Sequence, residues 1–302
     1  MRVPDTVPIR LLTHNIRYAT KAPFPGEENW EIRRPRLINE LRFNTAPCVE
    51  SFICLQEVLH EQLIDILAGL NNPKRAWDYV GVGRDDGLSA GEYSPIIYRP
   101  GIWELKGQTT KWLSKTPDLP SKSWDAASTR IVTIAVFQHR LSRKTVVAMN
   151  THLDDQGTKS RFEAAKIILE QIRLFTSRDP HRRSLPLFLA GDFNSEPYQE
   201  AYEEMTSRES PMVDLQLMVT EDKRYGDINT FTGFDPKTTR RKRIDFLFLN
   251  SGKPSPRVDS CEEGEASEEL WRAEGYAILP NLFEEGVYNS DHQAVIGDVA
   301  LI

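Results

Sequence analysis

The chain has 302 residues, with 38 basic and 44 acidic side chains, a formal net charge of −6, three cysteines and a hydrophobic share of 39 %. These values exclude collagen-like, disordered and disulfide-framework classes and leave enough apolar material for one large domain or two ordinary ones. The acidic balance also argues against a wide, sequence-blind grip on duplex nucleic acid, which needs a basic face.

Residues 1–10 lack the apolar stretch of a signal peptide, and no run approaches the roughly 20 apolar residues that cross a bilayer, so an intracellular location, cytoplasmic or nuclear, is expected. The first strand is expected at 9–12, ending on Thr13-His14-Asn15. A helix follows at 37–43, with Pro35 at its front, where a missing N–H is harmless. The run 52–55 ends on Gln56-Glu57 and encloses Cys54, expected with Cys48 and Cys261 to be a reduced, structural thiol. After a helix at 61–70, Gly81, Gly83 and Asp85-Asp86-Gly87 signal turns. Strands are expected at 96–98, 131–137 and 146–149, the last ending on Asn150-Thr151-His152. Phe162, Ala165, Ile168, Leu169, Ile172 and Phe175 recur at helical spacing within 159–175. The run 185–190 ends on Gly191-Asp192-Phe193-Asn194, a helix is expected at 198–205, and further strands at 244–249 and 295–302. Residues 252–275, rich in Ser, Glu and Pro, read as an acidic surface excursion between the last strands.

No linker divides the chain, so 1–302 is expected to be one mixed α/β domain. Many short strands with few crossover helices favour two packed sheets with helices outside. Sheets packed face to face bring strand ends to one rim, where loops can build a site on a rigid frame. Four strands here stop on Asn, Glu, His or Asp/Asn. Asp245 shares the alternating face of Leu247 and Leu249, where an ionised carboxylate needs a partner. Either a neighbouring Arg or an imidazole such as His292 would serve. Glu57, Asp192, Asp291, His152 and His292 together supply hard oxygen ligands and two imidazoles, a set that selects Mg²⁺, Ca²⁺ or Mn²⁺ over zinc and suits phosphoryl chemistry. The phosphate-cradling Gly-x-x-x-x-Gly-Lys-Ser/Thr loop, the dinucleotide Gly-x-Gly-x-x-Gly turn and the Gly-x-Ser-x-Gly elbow do not occur.

Thr13-His14-Asn15, Leu55-Gln56-Glu57, Asn150-Thr151-His152-Leu153, Gly191-Asp192-Phe193-Asn194, Arg243-Ile244-Asp245-Phe246 and Ser290-Asp291-His292 occur in that order. In this arrangement the chain resembles the endonuclease/exonuclease/phosphatase superfamily of metal-dependent phosphoesterases. Residues 81–98 and Trp124-Asp125-Ala126-Ala127 resemble a less characterised branch of it. The resemblance implies a four-layer α/β/β/α sandwich with a site at one rim. It implies Mg²⁺ (or Mn²⁺) held by Glu57 and Asp291, with Asn15 assisting. Asp192 would align and activate the attacking water, Asn194 would hold the scissile phosphate, and His292, oriented by Asp245, would stabilise the transition state. His152 would assist from the opposite side, with Glu92 as its orienter by position.

The expected partner is a phosphate-ester substrate, either single-stranded nucleic acid or a nucleotide, or an inositol, lipid-headgroup or other small phosphate. A non-catalytic binding module is the remaining alternative. The run Lys237-Thr238-Thr239-Arg240-Arg241-Lys242-Arg243 is either a solvated basic stretch or a grip on extra phosphates through Arg240 and Arg241. Tyr93, Trp112, Trp124, Phe193, Phe231 and Phe234 either fill the core or stack on a substrate, with Tyr93 and Trp124 the candidates for contact. Arg130 either binds phosphate or pairs with a buried acid.

Overall fold

A computed structural model describes residues 5–302 apart from 177–183, 236, 238–239, 252–268 and 284. Runs that are apolar at nearly every position form strands covered on both faces. In chain order the strands are β1 (Val7–Asn15), β2 (Phe52–Gln56), β3 (Asp78–Val80), β4 (Ile96–Tyr98), β5 (Trp103–Trp112), β6 (Ile131–His139), β7 (Thr145–His152), β8 (Leu187–Asp192), β9 (Met212–Asp214), β10 (Arg224–Gly226), β11 (Asp245–Asn250), β12 (Trp271–Ile278) and β13 (Val295–Leu301). The helices are α1 (Trp30–Thr45), α2 (His60–Leu70), α3 (Thr158–Thr176), α4 (Glu200–Met205) and α5 (Leu215–Met218).

One sheet has the order β10-β12-β13-β1-β2-β4-β3 and the other β5-β6-β7-β8-β11-β9. Phe52, Phe137, Phe188, Leu11 and Leu247 fill the space between the two sheets. Leu37, Leu41, Leu63 and Ile66 of α1 and α2 pack on Ile53 and Leu55 of the first sheet. Ile168, Leu169 and Ile172 of α3 pack with Phe246 and Phe248 outside the second. These are the four layers of an α/β/β/α sandwich, each helix and sheet burying its apolar face against the next.

Topology gathers the chemistry at one rim. β1 runs parallel to β2, and β7 parallel to β8, so Asn15, Gln56, His152 and Asp192 all lie at strand C-terminal ends. β13 and β11 are antiparallel to their neighbours and so begin at the same rim; Asp245 lies directly opposite Asp192.

Two expectations are corrected. Pro35 lies inside α1 rather than at its front, because the helix begins at Trp30. Its buried face carries Arg33 and Glu40 beside Trp30, Leu37 and Leu41, and those charges disguise the apolar stripe. Residues 271–275, assigned above to the acidic excursion, form the start of β12, while 252–268 and Cys261 lie outside the described residues. β12 was hidden because a bulge at Ala273/Gly275 breaks its alternation, and β5 because its middle is solvent-exposed and polar. Cys48 and Cys54 are free thiols, Cys54 buried in the inter-sheet core. Among the described residues no helix is long and apolar enough to cross a membrane.

Candidate active site

The strand ends enclose a cavity of about 540 Å³ whose wall includes Glu57, His152, Asp192, Asn194, Asp291 and His292. Three non-glycine residues at this rim adopt left-handed backbone angles: Arg17 after β1 (φ 58°), Glu57 after β2 (φ 57°) and Asn194 after β8 (φ 46°). Such conformations cost on the order of 1 kcal/mol each and persist where surrounding structure imposes them. Here they turn each side chain from its strand end toward the cavity.

Asn15 joins the two sheets. Its Nδ2 donates to Glu57 Oε1 at 3.0 Å and to Asp192 Oδ2 at 2.9 Å. Its Oδ1 accepts from Arg17 N at 3.0 Å, so Asn15 ties two carboxylates and the turn after β1 together. Asp192 Oδ1 accepts from Asn194 N at 2.9 Å, and Oδ2 lies 3.6 Å from His152 Nε2 and 3.7 Å from His292 Nε2. Burial, with the charge of Asp245 opposite, pushes the Asp192 carboxyl up to about 7, although His292 and Asn15 oppose the shift.

His292 Nδ1 donates to Asp245 Oδ2 at 2.8 Å. Burial alone would lower its pKa, but Asp245, Asp192 and Asp291 raise it to about 10. The alternative partner for Asp245 is otherwise engaged: Arg243 forms two bonds to buried Asp214, at 2.9 and 2.7 Å. His152 differs. Burial and the cations Arg130, Arg84 and His292 hold its pKa well below the usual imidazole value. Asn194 Nδ2 lies 3.1 Å from its Nε2, and Glu92 Oε2 lies 3.8 Å from its Nδ1.

Glu57 and Asp291 supply the hard oxygens. Glu57 accepts from Asn15 and, at 3.2 Å, from Tyr18 N, with Arg17 Nη1 3.9 Å away. Burial, with the charge of Glu57, raises the Asp291 pKa against the pull of His292 and Arg17. Two carboxylates that repel one another at one side of the cavity form a hard-oxygen donor set that fits a divalent ion. Asp192, Asp245 and His292 form a second cluster able to hold a metal, with ligand atoms within 4.8 Å of one another. The Asp245–His292 bond uses Oδ2 and Nδ1, and Asp245 Oδ1 is buried without a hydrogen-bond partner among the described residues.

The remaining expected residues separate into two groups. Arg130 reaches the cavity and also pairs with acids, at 3.4 Å to Asp154 and 2.8 Å to Asp155. Tyr93 does not reach it: its ring is in the core under α2, and its hydroxyl bonds Leu88 O and lies 2.9 Å from His60 Nδ1. Trp124 lines a separate cleft beside α3, while Asp125 next to it caps that helix through Ser160 N at 2.7 Å. Arg240 and Arg241 are exposed and absent from the cavity wall, Arg241 lying 3.3 Å from Asp227. Trp112, Phe193 and Phe234 are buried, and of the six aromatics only Phe231 lines the cavity, its ring 5.1 Å from that of His292. Sequence reasoning missed Arg17, Arg84 and Lys242 in the wall. Lys242 was within the basic run, where nothing local separates an inward from an outward cation.

The model of the Endonuclease/Exonuclease/phosphatase family matches residues 12–292. A structure of a protein of that description from Bacteroides vulgatus is similar at TM-score 0.80 and 29 % identity, over 98 % of this chain and 100 % of the other. A mannosyl-6-phosphatase from Bacteroides thetaiotaomicron VPI-5482 is similar at TM-score 0.79 and 27 % identity, over 96 % of this chain and 99 % of that one. Nocturnin of Drosophila melanogaster is 25 % identical over 90 % of this chain, which spans 42 % of that protein's length.

Proposed function

The chain belongs to the Endonuclease/Exonuclease/phosphatase family, whose members are phosphoesterase hydrolases, and from that premise we propose that it hydrolyses a phosphate ester by attack of water, with Mg²⁺ or Mn²⁺ as cofactor. The observation that carries this reading is the convergence on Asp192 of Asn15, Asn194, His152 and His292. Glu57 and Asp291 would hold the ion, which when bound supplies positive charge beside the phosphoryl oxygens.

In this reading Asp192 accepts a hydrogen bond from the attacking water and removes its proton, a task suited to a carboxylate raised toward neutrality. Asn194 donates its amide to a phosphate oxygen. His292, charged and held by Asp245, stabilises the negative charge that grows on the pentacovalent phosphorus. His152 stands beside the leaving oxygen. A phosphoryl anion next to Nε2 favours the protonated ring, and Glu92 behind Nδ1 stabilises that charge while the proton passes to the leaving group.

A small phosphomonoester is the substrate best supported. The likeness to the mannosyl-6-phosphatase favours it, and neither the pair Arg240–Arg241 nor Tyr93 and Trp124 line the cavity. Lys242 and Phe231 in the wall favour a second reading, a phosphodiester of nucleotide type. The test is turnover of p-nitrophenyl phosphate, bis-p-nitrophenyl phosphate and single-stranded RNA and DNA with Mg²⁺ and with Mn²⁺, against an EDTA control. Asp192→Asn and His292→Ala should each lose at least about three orders of magnitude in kcat while remaining folded. Unchanged turnover in both variants refutes the assignment.

A further inference from the structure

Apart from Glu92 behind His152, residues 81–93 (GVGRDDGLSAGEY) have no role in the proposed attack on phosphorus, yet they form a closely tied loop. Gly83 N donates to Leu88 O at 3.1 Å, Asp85 N to Ala90 O at 3.0 Å and Arg84 N to Glu92 O at 3.1 Å. Asp86 Oδ1 accepts from Leu88 N and Ala90 N, at 2.7 and 2.9 Å. Tyr93 pins the end of the loop, its N donating to Val58 O and its hydroxyl to Leu88 O. A Cβ on Gly83 would collide with the backbone of Ala90, and Gly91 (φ 78°) lies against the Asp85 carboxylate, so both positions require glycine.

This rigidity holds two side chains at the cavity. Arg84 donates through Nη1 and Nη2 to the two oxygens of Glu92, both at 2.8 Å, and its carbonyl accepts from Trp112 Nε1 at 2.7 Å. Across from them stands Arg130 at the start of β6, with Nη2 on Asp155 and Nε on Asp154. Arg130 Nη1 and Arg84 Nε are buried without a hydrogen-bond partner among the described residues. Ser128 and Asp155 complete this wall.

Under the proposed function the leaving group departs beside His152, whose immediate surroundings are Glu92, Arg84 and Arg130. A second phosphate there would need a cation with no acid beside it, but Arg84 is matched by Glu92 and Arg130 by Asp154 and Asp155. A nucleobase would need an aromatic face, but Tyr93 and Trp112 are 2 % and 7 % exposed. What remains is a wall whose arginines are each paired with acids and which offers both donors (Arg84, Arg130, Ser128) and acceptors (Glu92, Asp155). That is the complement of groups that each donate and accept, namely hydroxyls.

We propose that the 81–93 loop, with Ser128, Arg130 and Asp155, forms a subsite for a hydroxyl-rich leaving group, so that the scissile phosphate is carried by a sugar or another polyol. This deepens the function proposed above and rests on it. Wild-type protein should be assayed with Mg²⁺ on mannose 6-phosphate, glucose 6-phosphate and glycerol phosphate against p-nitrophenyl phosphate and bis-p-nitrophenyl phosphate. The expected result is at least about a tenfold higher kcat/KM for one of the polyol phosphates. Ser128→Ala and Asp155→Ala should each cut that preference by roughly tenfold, chiefly through KM, as the loss of one hydrogen bond to a bound hydroxyl would. Hydrolysis of all the esters without preference, or a preference unchanged in both variants, overturns the subsite and leaves the phosphoesterase reading standing. Absence of hydrolysis of every ester overturns both. Asp155 is exposed, so its variant tests the subsite without threatening the fold.

Discussion

Replacing Arg33 by methionine should destabilise the protein by about 3 kcal/mol and lower its activity without touching a reacting group. Arg33 is 1 % exposed and meets no carboxylate partner among the described residues. Instead it donates to four backbone carbonyls: Nε to Glu28 O (3.0 Å), Nη1 to Ile16 O (2.8 Å) and Asn289 O (2.7 Å), and Nη2 to Arg17 O (3.0 Å). Burial lowers its pKa, opposed by Glu27 and Asp291, which marks the desolvation cost of holding it there. The Met variant leaves the buried Ile16 and Asn289 carbonyls unpaired at about 2 kcal/mol each, while Arg17 O keeps Gln62 Nε2 at 3.2 Å and Glu28 is exposed, and the apolar stem returns about 1 kcal/mol. Two of the carbonyls directly follow Asn15 and one lies two residues before Asp291, so the loops that carry Asn15 and Asp291 both lose an anchor. Equilibrium unfolding in guanidinium chloride, followed by tryptophan fluorescence, gives the stability change, and kcat on p-nitrophenyl phosphate gives the functional one. Arg33→Lys, with three donors and no planar fork, should fall between. A Met variant within 1 kcal/mol of wild type would refute the view that Arg33 organises the rim.

Asp245→Asn removes the first of the charges that lift His292 against burial, so its pKa falls from about 10 and the ring loses its proton as pH rises. The loss of kcat should therefore be larger near pH 8.5 than near pH 6, and equal losses at both would deny His292 a role as imidazolium. Glu57→Gln removes a charge that, after burial, helps to raise Glu92 to about 7 and Asp291 above its ordinary value. In EDTA this variant should gain about 1 kcal/mol, a rise of roughly 2–4 °C in Tm by scanning fluorimetry, while its metal-dependent activity disappears. A lower Tm would mean that Glu57 is structurally satisfied without a cation. Lys242→Gln should raise KM and lower the salt sensitivity of kcat/KM, whereas Arg241→Gln should change KM less than about twofold. The reverse order would place Arg241 at the cavity.

Much of the sandwich was legible because its central strands are apolar at nearly every position and stop on residues with chemical ability. Asn15, Glu57, His152, Asp192 and Asn194 meet at the rim for that reason, and Asp245, Asp291 and His292 join them at or just before the starts of β11 and β13. Elements whose pattern is interrupted by a tertiary demand were not legible. α1 carries Arg33 and Glu40 on its buried face because the rim needs donors and acceptors beneath it. β12 bulges between Ala273 and Gly275, and β5 is polar where it faces solvent. Direction of approach was also unreadable. Whether Lys242 or Arg241 faces the cavity depends on the backbone path through Phe231 and Lys242, which bond to each other across a bridge. Tyr93 sits three residues before β4 yet turns into the core, because its hydroxyl has partners in His60 and Leu88.

The pairing of β8 with β11 explains why these residues must act as a unit. Asp192 and Asp245 oppose one another across an antiparallel pair, where like charges are unfavourable, and both are essentially sealed from solvent. A fold selected for stability alone would place apolar or uncharged residues at one of these positions. His292 makes the arrangement tolerable by lying between the two, 2.8 Å from Asp245 and 3.7 Å from Asp192, with its positive charge offsetting one of theirs. Its main chain is fixed in turn from behind: His14 Nε2 lies 3.1 Å from the His292 carbonyl and His14 Nδ1 lies 2.9 Å from Glu40, whose other oxygen accepts from Asn289. Each carboxylate is thus supported by a cation or amide whose own backbone is held by another buried polar group. Removing any member exposes the repulsion that the others contain, and three of the left-handed non-glycine residues, Arg17, Glu57 and Asn194, lie at this rim.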